Sequence, residues 1–279
     1  MSREGSFLTR ELAVRFLAAL VLIPIVLLDV WAGNLWFELG IALIAALMAS
    51  EWCRMVHRGS QFQFALHAMA AIGSALIVSR AGLVTALQLV AVCWVLSLVV
   101  EARRRKAGSR WAWWGVPYIA LPGIALLVIR LSPEYGLAAV SLLFAVVWSA
   151  DTLAYVFGRL IGGPKLAPAI SPNKTWAGLV GAVSGGVVAS GLFAWIAALP
   201  VVLPLVVMGA VLAVLEQGGD LFESAAKRRF GVKDSGRIIP GHGGVLDRVD
   251  GLIFAAVAAA AFGWWRGGQE GVASGLLVW

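Results

Sequence analysis

Long runs of apolar residues, separated by short polar segments, dominate this chain of 279 residues. Hydrophobic residues make up 61% of the sequence and charged residues only 13%, and the mean hydropathy is +0.89. This composition excludes a water-soluble globular domain, because so much apolar surface could not be buried away from water. Helices satisfy their own backbone hydrogen bonds inside a bilayer. The runs therefore predict an all-α, polytopic integral membrane protein.

Nine apolar runs are candidates for transmembrane helices. They lie near residues 16–31, 35–50, 64–78, 83–100, 114–129, 137–157, 176–199, 201–215 and 249–265. The third run is short for a hydrocarbon core that requires about 20 helical residues. Arginines ahead of the first run are also typical of a secretory signal peptide, but the second run follows almost at once and favours a helical hairpin.

Lysine and arginine are concentrated in alternate connections between these runs. With the N-terminus in the cytoplasm, 19 of the 22 basic residues lie on the cytoplasmic side, and Arg80, Arg130 and Arg266 lie on the other. Cytoplasmic loops of membrane proteins carry such an excess. The net charge of +7 therefore indicates basic loops beside anionic lipid, with no nucleic-acid partner.

The distribution of polar residues divides the chain into two parts. Residues 1–135 hold about five helices, and residues 136–279 hold the other helices with two polar loops, at 158–175 and 216–250. Both loops face the cytoplasm in the predicted orientation, where nucleotides are found. We therefore expect the second part to carry the chemistry. The two cysteines form no CxxC pattern, which argues against a disulfide framework or a cysteine metal site.

Aspartates near the end of the eighth helix and the start of the ninth have the chemistry of a magnesium site. If the eighth helix continues through Lys227, Asp220, Ser224 and Lys227 share one of its faces. Asp247 and Asp250 are three residues apart and share a face of the ninth helix. Magnesium takes hard oxygen ligands, often one or two carboxylates with substrate phosphates. Helix capping or ion pairing with neighbouring basic residues is the alternative role for these aspartates.

Basic residues and a glycine-rich turn lie between these aspartates. Lys233 and Arg237 are placed to bind phosphate, whereas the arginines at 228–229 are equally consistent with lipid head groups. The glycines of residues 240–244 allow backbone amides to approach a ligand closely, as in phosphate-binding loops. His242, within that turn, is a candidate phosphate donor, a partner of an aspartate, or a structural residue.

The earlier polar segment supplies two further candidates. Asp151 lies in the sixth helix, and a carboxylate at such a depth indicates a functional site, although pairing with Arg159 would be structural. Residues 171–175 are typical of a helix start and place Lys174 near a positive N-terminus, a natural anion site. His67 stands alone in the third helix and is interpreted as a buried hydrogen-bonding residue.

Several of these residues form a spaced pattern that matches a known family. The pattern comprises Ser224-Ala225-Ala226-Lys227-Arg228, Lys233-Asp234, His242-Gly243-Gly244 and Asp247-Arg248-Val249-Asp250, preceded by Ser171-Pro172-Asn173-Lys174-Thr175-Trp176. It resembles the signature of the phosphatidate cytidylyltransferases (CDP-diacylglycerol synthases). The sequence departs from that family at Ala226, where a larger apolar residue is usual, and at Ala177, where many members have Glu or Gln.

The resemblance implies a nucleotidyltransferase of phospholipid biosynthesis that transfers CMP from CTP to phosphatidic acid and releases pyrophosphate. It also implies Mg²⁺, with room for a second cation, and a homodimer in a bacterial cytoplasmic (inner) membrane, with the active site facing the cytoplasm. We assign as metal ligands Asp220, Asp247 and Asp250; as catalytic residues Asp220, Asp247, Lys227, Lys233, His242 and Arg248; and as substrate-binding residues Asp151, Lys174, Ser224, Arg237, Gly243 and Gly244.

Two other functions are compatible with parts of the sequence. A CTP-dependent polyprenol or phytol kinase would also join a lipid to a nucleotide phosphate, but the block from His242 to Asp250 argues against it. A transporter would place charged residues at mid-membrane in repeated segments, and no repeat is visible. Within the transferase interpretation, Asp220, Asp247, Lys233 and the glycine turn are expected to hold the CTP phosphates, and Lys174 the phosphatidate head group.

Overall fold

The computed structural model describes residues 20–103, 110–238 and 243–279. Most of this part of the chain is helical, which confirms the predicted helical membrane fold, and a small antiparallel pair of strands is the departure from an all-α architecture. In chain order the elements are α1 (Leu20–Ala32), α2 (Asn34–Val56), α3 (Gln61–Arg103), α4 (Ala112–Arg130), α5 (Gly136–Leu160), β1 (Lys165–Ala167), β2 (Ser171–Thr175), α6 (Trp176–Ile196), α7 (Leu203–Arg229), α8 (Leu246–Gly267) and α9 (Val272–Leu277).

Helical structure is present at each of the nine predicted positions within the described residues. Among the described residues, six helices, α2 to α7, are long and apolar enough to cross a membrane. The count of nine spans and the cytoplasmic N-terminus stay predictions. The short helix α9 packs against α8, and its six residues are too few to cross a membrane.

The third and fourth apolar runs form the two arms of α3, which folds back on itself at Gly82. The backbone there has φ 83° and ψ 167°, a conformation that glycine adopts readily because it has no Cβ. The side chain of Gln63 in the first arm donates to the carbonyl oxygen of Ser97 in the second arm at 3.0 Å. The hydroxyl of Ser97 donates back to Gln63 Oε1 at 2.7 Å. The two arms are therefore antiparallel neighbours.

Close helix packing places the polar segments of the second part side by side. A Cβ on Gly185 of α6 would collide with the carbonyl of Ser149 in α5, and one on Gly186 would collide with the carbonyl of Gly209 in α7. Glycine thus allows α6 to approach α5 and α7 at backbone contact distance. One buried hydrophobic cluster includes residues of both parts of the chain, from α2 through α9.

The polar connections meet at one end of this bundle. The pair of strands from Lys165 to Thr175 joins α5 to α6, and α7 continues through Arg229, as the shared-face argument requires. The carbonyl of Ile170 accepts a hydrogen bond from Arg228 at the end of α7. The end of α7 and the strand pair therefore lie together, and α8 starts just beyond them in sequence.

Candidate active site

Each helix carries a glycine next to an aspartate at the point where α7 crosses α8: Gly219 and Asp220 on α7, Asp250 and Gly251 on α8. A Cβ on Gly219 would collide with the carbonyl oxygen of Asp250, and a Cβ on Gly251 would lie 2.6 Å from an oxygen of Glu216. The absence of side chains at both positions allows the helices to touch. Asp220 and Asp250 each stand next to one of these glycines, and they are close enough to interact electrostatically. The crossing therefore brings together two aspartates 30 positions apart in sequence.

Lys174 connects the earlier polar segment to this crossing. Its Nζ lies 2.7 Å from Oδ2 of Asp220 and donates to Oε1 of Gln217 at 2.8 Å. The other oxygen of Asp220 accepts from the hydroxyl of Ser224 at 3.2 Å, which confirms that these residues share a face of α7. Lys174 stands at the end of β2, immediately before Thr175, whose hydroxyl caps α6. The helix start predicted at residues 171–175 is thus a short strand ending in the helix cap.

Lys227 and Asp247 form a second, more enclosed ion pair. Lys227 Nζ lies 2.6 Å from Asp247 Oδ1 and also contacts the fully buried carboxylate of Glu223. The second oxygen of Asp247 accepts from the amide and the hydroxyl of Ser235, both at 2.9 Å, and from the amide of Gly244 at 2.8 Å. Four donors from three parts of the chain therefore fix the position of the Asp247 carboxylate.

The electrostatics of Asp247 follow from these contacts. Asp247 lies in the first turn of α8, ahead of the apolar part of that helix. Partial burial alone would raise the pKa of its carboxyl, but the hydrogen bonds from Lys227, Gly244 and Ser235 outweigh burial and hold this pKa below its ordinary value. Asp247 is therefore ionised at neutral pH, as both an ion-pair partner and a metal ligand must be.

Asp151 joins the same group of carboxylates from α5. Its carboxyl lies beside that of Glu216 on α7, where the two can share a proton, and Lys174 and Arg248 are close enough to act on it electrostatically. The alternative partner, Arg159, donates instead to a tyrosine hydroxyl on its own helix. The structure thus brings Asp151 to the predicted site residues.

The connection between α7 and α8 carries the remaining candidates. Lys233 and Arg237 are exposed there, and the described residues provide neither with a hydrogen bond or an ion pair. Gly243 has φ 82° and approaches Asp247 so closely that a Cβ would lie 2.8 Å from its carboxylate, so this position favours glycine on two grounds. The predicted residue His242 lies outside the described residues.

Four polar residues of the site were missed by the sequence interpretation: Glu51, Glu216, Glu223 and Ser235. Positions 216, 220, 223 and 227 are spaced by four, three and four residues, which is one face of a helix, so this signal was available in the sequence. In the sequence, Glu51 is only a charged residue that follows the second apolar run. It reaches the site from α2 and accepts hydrogen bonds from residues almost 200 positions later.

The carboxylates of the site can be compared with the ligands that a divalent cation requires. Within the described ranges, no three His, Cys, Asp or Glu side chains are already gathered as a metal cluster. Magnesium, however, needs few protein ligands when phosphates supply the others. Asp250 accepts only from the adjacent amide of Gly251 among the described contacts, at 3.0 Å. Its carboxylate, beside that of Asp220, therefore offers hard oxygen atoms that fit such an ion.

Comparison with known proteins connects this geometry to a family. The model of the Cytidylyltransferase family matches residues 13–265. The phosphatidate cytidylyltransferase of Brucella abortus is 41% identical over 256 residues, covering 91% of this chain and 93% of that protein. The enzyme of the same name from Rickettsia typhi is 40% identical over 153 residues, covering 50% and 65%. That from Staphylococcus saprophyticus is 44% identical over 137 residues, covering 49% and 53%. Because the family model extends over most of the chain and includes every residue of the site, this protein belongs to the cytidylyltransferase family.

Proposed function

We propose that this protein is a phosphatidate cytidylyltransferase, which transfers CMP from CTP to phosphatidic acid to give CDP-diacylglycerol and pyrophosphate. The observation that carries the proposal is the family match over residues 13–265, which includes all the carboxylates and lysines of the site. The relative from Brucella abortus, similar over nearly its whole length, bears the name of this activity.

The chemistry suits the residues that meet at the helix crossing. An oxygen of the lipid phosphate attacks the α-phosphorus of CTP, and the bond from that phosphorus to the bridging oxygen of pyrophosphate breaks. A phosphomonoester loses its second proton near pH 6, so it is already a nucleophile at neutral pH. Catalysis then consists mainly of positioning and charge neutralisation, which lysines, arginines and carboxylate-bound cations provide.

We propose Mg²⁺ as the cofactor, held by Asp220 and Asp250, with Asp247 as the third predicted ligand. Asp220 and Asp250 are neighbours, and their oxygens are the hard ligands that this ion takes. When bound, the ion would neutralise charge on the phosphates of the nucleotide. The carboxylates of Asp151 and Glu216 lie in the same group and would supply oxygen ligands for a second cation.

The two ion pairs suggest how the substrates are divided. Asp220, Asp247, Lys233 and the glycine turn would hold the CTP phosphates. Lys174 would help to hold the phosphatidate head group, because it stands where β2 leads into α6, on a segment separate from the α7–α8 connection. Its ion pair with Asp220 would keep the lipid phosphate beside the metal ligands.

We propose that the chain crosses the cytoplasmic membrane of a bacterium nine times, with its N-terminus and its active site facing the cytoplasm. We also propose that the protein acts as a homodimer. The bias of basic residues supports this orientation. Arg130 donates to the carbonyl of Val30 at the end of α1, and Arg80 pairs with Glu38 near the start of α2. These arginines thus lie at helix ends away from the site, as the orientation requires.

The experiment is incubation of the purified protein with labelled CTP and phosphatidic acid in mixed micelles. A phosphatidate cytidylyltransferase gives a CDP-lipid and pyrophosphate in equal amounts. A lipid kinase would leave phosphatidic acid unchanged and, given a polyprenol or phytol in its place, would give CDP and a phosphorylated lipid. A transporter would move substrate across proteoliposomes without consuming CTP. Either of the last two outcomes would contradict the proposal.

A further inference from the structure

The N-terminus of α8 has no cap from its own sequence. The residue at the N-cap is Val245, whose side chain cannot accept a hydrogen bond. The first amides of a helix need acceptors, and here the acceptor comes from α2. Oε1 of Glu51 accepts from the amide of Val245, and Oε2 accepts from the amide of Leu246, both at 2.9 Å. Glu51 is fully buried, so these bonds stabilise a carboxylate that burial would otherwise disfavour.

Glu51 is also linked to the active-site aspartate. The hydroxyl of Ser235 lies 3.1 Å from Oε2 of Glu51 and 2.9 Å from Oδ2 of Asp247. The amide of Ser235 donates to the same oxygen of Asp247. Ser235 of the α7–α8 connection thus stands between the two carboxylates, and Glu51 contacts that connection both at Ser235 and where it enters α8.

The backbone around Glu51 is shaped to fit its carboxylate. A Cβ on Gly236 would collide with one of its oxygens, and a Cβ on Gly244 would lie 2.6 Å from the other. Both positions are in the connection that also carries Lys233, Arg237 and Gly243. Two glycines, one hydroxyl and two helix amides therefore surround a single carboxylate from the first part of the chain.

We propose that Glu51 is a positioning residue for nucleotidyl transfer: it holds Ser235 and the backbone from Gly244 to Leu246, where the α7–α8 connection enters α8, so that Asp247 is aligned with the site around Asp220. The kinetic part of this inference rests on the proposed function. The structural part, that Glu51 fixes Ser235 and the start of α8 at Val245 and Leu246, does not. A displacement of reacting groups by about 1 Å lowers turnover about a hundredfold. Loss of this support should therefore affect kcat more than KM.

The test uses Glu51→Gln in the full-length, detergent-purified protein. The amide group retains the size of the carboxyl, but its nitrogen cannot accept from Leu246 or Ser235. We expect kcat to fall about tenfold to a hundredfold. We also expect faster hydrogen–deuterium exchange at Ser235 and at the amides of Val245 and Leu246, with little change in the other helices. The matched control is Glu38→Gln, a buried glutamate of the same helix that pairs with Arg80 at 2.7 Å, and it should change neither quantity.

A second variant separates the link to Asp247 from the helix cap. Ser235→Ala removes the hydroxyl between Glu51 and Asp247 and leaves both bonds to the amides of α8. We expect a fall in kcat with the amides of Val245 and Leu246 still protected, and this variant also serves if Glu51→Gln does not fold. The inference is overturned if Glu51→Gln lowers kcat no more than Glu38→Gln does, or if exchange rises evenly over all helices. If the wild type forms no CDP-lipid, the proposed function fails, while the exchange data still test the role of Glu51.

Discussion

The two lysine–aspartate pairs of the site differ in how they are enclosed. In the Lys227–Asp247 pair the side chains are 14% and 6% exposed, and Asp247 is held by donors from α7 and from two positions in the α7–α8 connection, Ser235 and Gly244. In the Lys174–Asp220 pair they are 15% and 31% exposed, and Asp220 has two side-chain partners. The first pair is part of the folded framework, whereas the second is open on one side. We infer that substrates and cations enter at Asp220 and that Asp247 fixes the geometry they meet.

The largest effect is expected from neutralising either aspartate. Asp220→Asn and Asp247→Asn should each lower turnover by orders of magnitude, because each removes a charged ligand from the proposed metal site. Only Asp247→Asn should also lower the melting temperature, since only Asp247 anchors the connection. Steady-state kinetics at saturating Mg²⁺ and thermal unfolding in detergent measure the two quantities.

The control for this pair is Glu134→Gln, an exposed carboxylate between α4 and α5, which should leave both quantities unchanged. Near-normal activity of either aspartate variant would remove that residue from the site. If Asp220→Asn and Asp247→Asn lowered the melting temperature equally, the two pairs would not differ in their contribution to the folded framework.

The second effect concerns the lysines. Lys227→Met leaves the carboxylates of Glu223 and Asp247 buried without their cation, and breaking a buried ion pair costs about 3–5 kcal/mol of folding free energy. Lys174→Met leaves only the more exposed Asp220 without its cation, so this variant should lose much less folding free energy. Denaturation of both variants in the same detergent would measure this difference, and equal losses would show that enclosure does not distinguish the pairs.

The third prediction concerns the crossing of α7 and α8, which brings the two lysine–aspartate pairs together. Gly219→Ala would place a methyl group against the carbonyl of Asp250 and force α7 away from α8, so we expect at least a tenfold loss of kcat. Gly218→Ala is the matched control, because a Cβ there meets no atom within 4 Å. Alanine in a helix is favoured over glycine by about 1 kcal/mol, so the control should be as stable as the wild type or more so. If Gly219→Ala were as active as Gly218→Ala, close contact of α7 and α8 would not be needed for the geometry of the active site.

The difference between local and long-range contacts explains what the sequence could predict. Apolar runs and helical spacing are local signals, and they located the helices and the shared face of Asp220, Ser224 and Lys227. The same spacing could have added Glu216 and Glu223. Glu51 could not be assigned in this way, because its role depends on contact with backbone amides 194 and 195 positions away, which leave no pattern around residue 51. The strand before α6 was also missed, because residues that begin a helix resemble those that end a short strand.

The smallest effect concerns the open pair and the division of substrates. Lys174→Ala should raise the KM for phosphatidic acid several-fold and the KM for CTP less, because a lost contact that binds substrate and transition state equally changes mainly KM. Lys165→Ala, an exposed lysine on the adjacent strand, is the matched control and should change neither value. Kinetics with each substrate varied in mixed micelles would measure both constants. If only the KM for CTP rose, the assignment would be reversed: Lys174 would bind the nucleotide, and the open side of Asp220 would be where CTP enters rather than the lipid.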